Sequence, residues 1–148
     1  MSLKKDIAEK IKESMKAKDS AKVGCLRFVM AAIKNREIEK REELTDAECI
    51  KVLSILAKQR GESIEMYKKG GRDELAAKES DELSIIKSFL PEELSEGEML
   101  KLVEDAVAEI DASSMKDMGK VMKALAPKVA GRADGKVLSD MVKARLKE

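Results

Sequence analysis

Leu3, Ile7, Ile11 and Met15 recur every four residues and draw one apolar stripe along a first helix that ends near Lys18. Asp19 or Ser20 caps a second helix, in which Val23, Leu26, Met30 and Ile33 face inward. Its far end, residues 34–43, mixes charges of both signs and reads as a solvated face. Thr45 and Glu48 have the spacing of a capping box. After them Cys49, Ile50, Val52, Leu53, Ile55, Leu56 and Ala57 run almost all the way round, so the third helix is predicted to be the most buried. It continues through Ile64 and Tyr67 and stops at Gly70 and Gly71. Asp73 starts a fourth helix with Leu75, Leu83, Ile86 and Phe89 inward, and Pro91 ends it.

Leu90, Pro91, Glu92, Glu93 and Leu94 mark the expected boundary, giving an N-terminal bundle of about four helices over 1–92 and a three-helix C-terminal subdomain over 95–148. Ser95 and Glu98 repeat the capping-box spacing, and Met99, Val103, Ala106 and Ile110 stripe a fifth helix. Ser114 with Asp117 opens a sixth, with Met118, Val121, Met122 and Leu125 on one face. Pro127 kinks or ends it, Gly131 stops it, and Asp134 caps a seventh whose inner side is Leu138, Met141, Val142 and Leu146.

Composition supports an all-α fold. Of the 148 residues 43% are hydrophobic but only 2% aromatic, and Ala, Leu, Lys, Glu and Met, which lose little freedom in a helix, dominate. Residues 1–10 are studded with charge and contain no signal-peptide pattern, and no apolar run reaches bilayer length. Cys25 and Cys49 stand singly in apolar helical patterns, as core thiols in a reducing compartment do, so a cytoplasmic setting is expected. There is no histidine, which removes Ser-His-Asp and Cys-His nucleophile systems and most zinc and iron sites. Neither a P-loop nor G-x-S-x-G is present, so no catalytic residue, metal or cofactor is assigned.

Charge is divided unevenly. From Ala112 onward nine Lys and Arg stand against four Asp and Glu, a net of +5, while the first 111 residues carry 21 against 25, or −4. On the sixth helix Lys116, Lys120 and Lys123 fall opposite the apolar face, and Lys128, Arg132 and Lys136 continue the series. These six are the candidate nucleic-acid contacts, beside helix N-termini at Ser114 and Asp134 that suit phosphates. A lysine row opposite an apolar stripe is also what an ordinary surface helix shows. With few aromatics to stack bases, phosphate and shape recognition of a folded RNA fits better than single-strand readout.

The run Ser114-x-x-Asp117-Met118-Gly119-Lys120-Val121-Met122 with Pro127-Lys128-Val129-x-Gly131-Arg132-Ala133-Asp134-Gly135 resembles the signature of the YqeY family, and Leu90 to Ser95 and Arg27 fit it too. That family is similar to the C-terminal tail of the GatB subunit of tRNA-dependent amidotransferases. The resemblance implies an accessory tRNA-binding module linked to tRNA aminoacylation or transamidation. Its partners would be tRNA and an aminoacyl-tRNA synthetase or amidotransferase, with no membrane. Gly119, Pro127, Gly131, Asp134 and Gly135 would shape the motif. Two alternatives stay open: carbon-nitrogen ligase activity with glutamine as amido donor, as the family label states, and a protein–protein adaptor working through the bundle.

Overall fold

The computed structural model describes residues 2–129 and 132–147. Among them are seven α-helices, a short 3-10 turn and no strand, as the composition requires. The chain divides into two compact units, Met1–Pro91 and Glu92–Glu148.

The first unit holds α1 (Leu3–Lys16), α2 (Ser20–Lys40), α3 (Asp46–Lys69) and α4 (Asp73–Lys87). Local chemistry starts and stops them. The Asp19 carboxylate accepts from the Lys22 N–H at 3.1 Å to cap α2, and Thr45 Oγ1 accepts from the Glu48 N–H at 3.2 Å to cap α3. Left-handed Lys18 and Arg41 close α1 and α2, and Gly71, at φ +71°, follows α3 where a side chain would be strained. Thr45 differs from a full capping box in one respect. The Glu48 carboxylate turns to Thr45 Oγ1 and to the Lys40 ammonium at 2.7 Å, which holds its pKa below the usual carboxylate range.

The core of this unit joins Ile7 of α1, Cys25, Leu26, Val29 and Ile33 of α2, Cys49, Leu53 and Leu56 of α3, and Ile86 of α4. Helix α2 carries more of it than α3, contrary to the expectation from the all-round apolar run. Only one face of α3 is covered, by α4, α2 and α1, and Ile55 is left 57% exposed. Leu75 and Met15 likewise point outward, while Ala76 is buried. Burial of both thiols raises the pKa of Cys25 and of Cys49, so they are protonated, unpaired core groups.

One charged residue in the segment expected to be solvated does structural work. Glu37 accepts from the Leu44 N–H at 2.9 Å and from the Lys4 ammonium at 2.9 Å, pinning the α2–α3 loop and α1 to α2. The Leu44 N–H first, then Lys4, hold its carboxyl below the ordinary range. A folded-state pKa below the unfolded one contributes stability above the unfolded value, near 4.3 for Glu, that is lost as the pH falls toward the folded value. Glu37→Gln is therefore expected to lower stability at neutral pH and to flatten the acid limb of the stability curve. Urea titrations between pH 3 and 7 check this.

The second unit contains α5 (Glu96–Ile110), the 3-10 turn Met115–Asp117, α6 (Met118–Val129) and α7 (Gly135–Leu146). Each of the three α-helices packs on the other two. Their core is Val103, Ala106 and Val107 of α5, Val121, Leu125 and Val129 of α6, and Leu138, Val142 and Leu146 of α7. Ser95 and Glu98 form a complete reciprocal capping box. Helix α6 runs on through Pro127 to Val129 instead of ending there. Pro127 is exposed, so the carbonyl it leaves without a donor can be solvated, while Val129, 7% exposed, keeps the last turn on the core.

Candidate nucleic-acid interface

The sixth helix begins differently from the simple capped start that the sequence suggests. Ser114 Oγ accepts from the Lys116 N–H, and the Asp117 carboxylate folds back to accept the Ser113 N–H at 2.9 Å. These bonds tighten residues 115–117 into a 3-10 turn, so Lys116 precedes α6 and does not lie on it. The Ser113 N–H, followed by the Ser114 N–H and the Lys120 charge, holds the Asp117 carboxyl below its usual range against the opposing effect of desolvation. Asp117 thus stays ionised and offsets part of the field of Lys120.

Within α6 the register separates the faces. Val121 and Leu125 are fully buried, whereas Lys120 and Lys123 are exposed. Lys116, Lys128 and Lys136 are exposed as well. Among the described residues Lys116, Lys120, Lys123 and Lys136 form no ion pair, while Lys128 lies 3.6 Å from the Glu109 carboxylate. On α7, Arg145 Nε donates to Glu104 of α5 at 2.6 Å. The tail's positive charge is therefore partly neutralised at Lys128 and Arg145, while Lys120 and Lys123 of α6 form no ion pair among the described residues.

Arg132 has a different position from the other candidates. Its Nε donates to the Glu92 carbonyl at 2.9 Å, its own carbonyl accepts the Leu94 N–H at 2.8 Å, and its N–H donates to the Val129 carbonyl. One arginine thus fastens Glu92 and Leu94 to the residues that lead into α7, a contact between positions 40 apart in the chain. Sequence spacing gave no signal for this contact. Arg132→Met should loosen the segment by about 1 kcal/mol, the typical worth of one such hydrogen bond. Faster hydrogen exchange at the Leu94 N–H, with α5–α7 still protected, checks it.

Asp134 caps α7 by accepting the Lys136 N–H at 2.8 Å. Gly119 and Gly135 occupy the first turns of α6 and α7, and a Cβ added to either would meet nothing within 4 Å. No internal packing thus requires glycine at either position. Gly131, the expected helix stop, lies outside the described residues. No group of three or more Asp, Glu or Cys that could hold a metal occurs among the described residues, and none of their helices is long and apolar enough to cross a membrane.

Two separately cored helical units, the second presenting unpaired lysines and two capped helix starts, define a small all-α protein with a basic helical tail. The chain belongs to the YqeY family: the family described as Yqey-like protein matches residues 4–146. It is similar to the protein named Altered inheritance of mitochondria protein 41, mitochondrial, from Eremothecium gossypii, at 36% identity over 57% of this chain and 46% of that protein. The same-named protein of Vanderwaltozyma polyspora is 37% identical over 61% of this chain and 47% of its own length. That of Lachancea thermotolerans is 33% identical over 76% and 59%. The chain spans about half the length of the first two of these relatives.

Proposed function

We propose that this chain is a tRNA-binding accessory module, linked to tRNA aminoacylation or transamidation, that works through the basic surface of its C-terminal unit. The observation that carries the reading is the exposed set Lys116, Lys120 and Lys123, which no carboxylate of the described residues pairs, on a tail of net charge +5. Exposed ammonium groups without internal partners are free to replace counterions along a phosphate backbone. Gly135 supports the same reading, because backbone without Cβ in the first turn of α7 lets a phosphate approach that helix start closely. Lys128 and Lys136 extend the surface, and Arg132 serves mainly to hold the motif together. In this reading the two units act as a four-helix bundle and a three-helix tail, and a synthetase or amidotransferase is the partner enzyme. The two unpaired thiols support a cytoplasmic setting.

A second reading, a protein–protein adaptor, draws on one observation in the first unit: Ile38 and Met66 are each 73% exposed and Ile55 57%. Equilibrium binding of the full chain to total tRNA over a salt series separates the two. Affinity that falls as salt rises supports the tRNA module, and weak binding that ignores salt overturns it.

A further inference from the structure

Helix α3 has 24 residues and is about 36 Å long, and Cys49, Leu53 and Leu56 bury only one of its faces. On the uncovered side Lys51, Ile55, Lys58, Glu62 and Glu65 recur at intervals of four and three, with Gln59 and Met66 beside them, and all are exposed. Met66 is 73% exposed, and half-buried Val52 borders the strip. The charges are sorted along it: Lys51 and Lys58 precede Gln59, and Glu62 and Glu65 follow it. None of these four forms an ion pair among the described residues, whereas Arg60, on the covered side, pairs with Glu79 and Glu82.

A strip sorted in this way is complementary to itself in one direction only. Two copies of α3 laid antiparallel about a two-fold axis at Gln59 set each residue before the axis against the one equally far beyond it. Lys51 lies eight residues before Gln59 and Glu65 six after, while Lys58 lies one before and Glu62 three after. Each mismatch is two residues, about 3 Å of helix rise, which long Lys and Glu side chains span. The symmetry forms each of these ion pairs twice. Val52 lies seven residues before Gln59 and Met66 seven after, so each Met66 seats beside Val52 and Ile55 of the other copy. Parallel pairing would instead set every charge against its own copy, lysine on lysine and glutamate on glutamate, and such juxtapositions are repulsive.

We propose that the exposed face of α3 docks a second copy of this chain, antiparallel and two-fold symmetric about Gln59. Ile55 and Met66 then cover each other and leave no apolar strip there for a foreign protein. The surface belongs to the first unit and does not depend on the tail's reading. One helix per copy with a charged rim makes a small interface, so association is weak, in the micromolar range, and tRNA titrations at nanomolar protein report on single copies. Sedimentation equilibrium of the full chain over a concentration series tests the dimer. The samples are the wild type, Lys51→Glu with Lys58→Glu, and Glu62→Lys with Glu65→Lys. The wild type should dimerise reversibly. Each double variant carries four like charges on the strip, and its self-association should be at least about tenfold weaker, with helical content unchanged. Mixed one to one, the two variants should regain a dimer as tight as the wild type, a recovery that a misfolded variant cannot give. Gln59→Cys should form a disulfide-linked dimer under mild oxidation faster than Lys51→Cys, because only position 59 meets its own copy and both native thiols are buried. A wild type that stays monomeric at millimolar protein would overturn the proposal. So would double variants that dimerise as the wild type does, a mixture that does not associate, or equal cross-linking of the two cysteine variants.

Discussion

Reversing Lys120 and Lys123 together to Glu is expected to remove measurable tRNA binding at physiological salt while leaving the helices intact. If about four or five cations of the tail meet phosphates, the duplex relation of roughly −0.9 per contact gives a slope near −4, so wild-type affinity falls by roughly two to three decades between 50 and 200 mM salt. Losing two contacts brings that slope to about −2, and two carboxylates facing the backbone add repulsion. The fold should survive. Both side chains are exposed opposite Val121 and Leu125, and carboxylates near the start of α6 suit the helix dipole. Lys58→Glu with Lys68→Glu, exposed on α3, changes net charge equally and is the control. Fluorescence binding to total tRNA at several salt concentrations decides the matter. Equal losses in the two double variants would mean that net charge, not the α6 face, governs binding, and the search would move to partners of the first unit.

The parts legible in the sequence are those whose cause is local. Asp19, Thr45, Ser95 and Asp134 cap helices because a side-chain oxygen three or fewer residues from an unpaired N–H needs no information from the rest of the chain. The stripes of α5, α6 and α7 were equally readable, since Val103, Val121, Leu125, Leu138 and Val142 fall on the buried faces that periodicity assigns. Depth was harder to read. An apolar run tells how much of α3 could be buried, but not how many neighbours arrive to bury it, and Ile55 stayed outside while Cys25 and Val29 went in. Long-range polar contacts left no trace at all. Glu37 sits in a charge run that reads as solvated, yet it closes the loop at Leu44, and Arg132 reads as one more cation although its Nε is engaged by the Glu92 carbonyl. For the candidate interface, spacing located the lysines, but only the three-dimensional arrangement distinguishes those with internal partners from those without.

Truncating Leu125 to Ala is expected to have the largest effect on stability, and to confine it to one unit. Leu125 is fully buried among residues of α5, α6 and α7, where a Leu→Ala change costs about 2–5 kcal/mol through lost transfer energy and the cavity left behind. The unit from Glu92 onward is small, and a core of that size leaves only a few kcal/mol of net stability, so the loss is comparable to the whole. The first unit has its own cluster around Leu26, Ile33 and Leu53, which Leu125 does not join. Native-state hydrogen exchange should therefore show protection lost across α5–α7 and kept in α2 and α3, with the melting of the second unit lowered by roughly 10 °C or more. Leu53→Ala should give the reverse pattern. If Leu125→Ala instead unprotects α2 and α3 to the same degree, the two cores melt as one cooperative body. A tail variant's failure to bind tRNA could then no longer be assigned to the tail alone. Protection confined to the first unit makes the lysine reversals on α6 interpretable as a property of that surface.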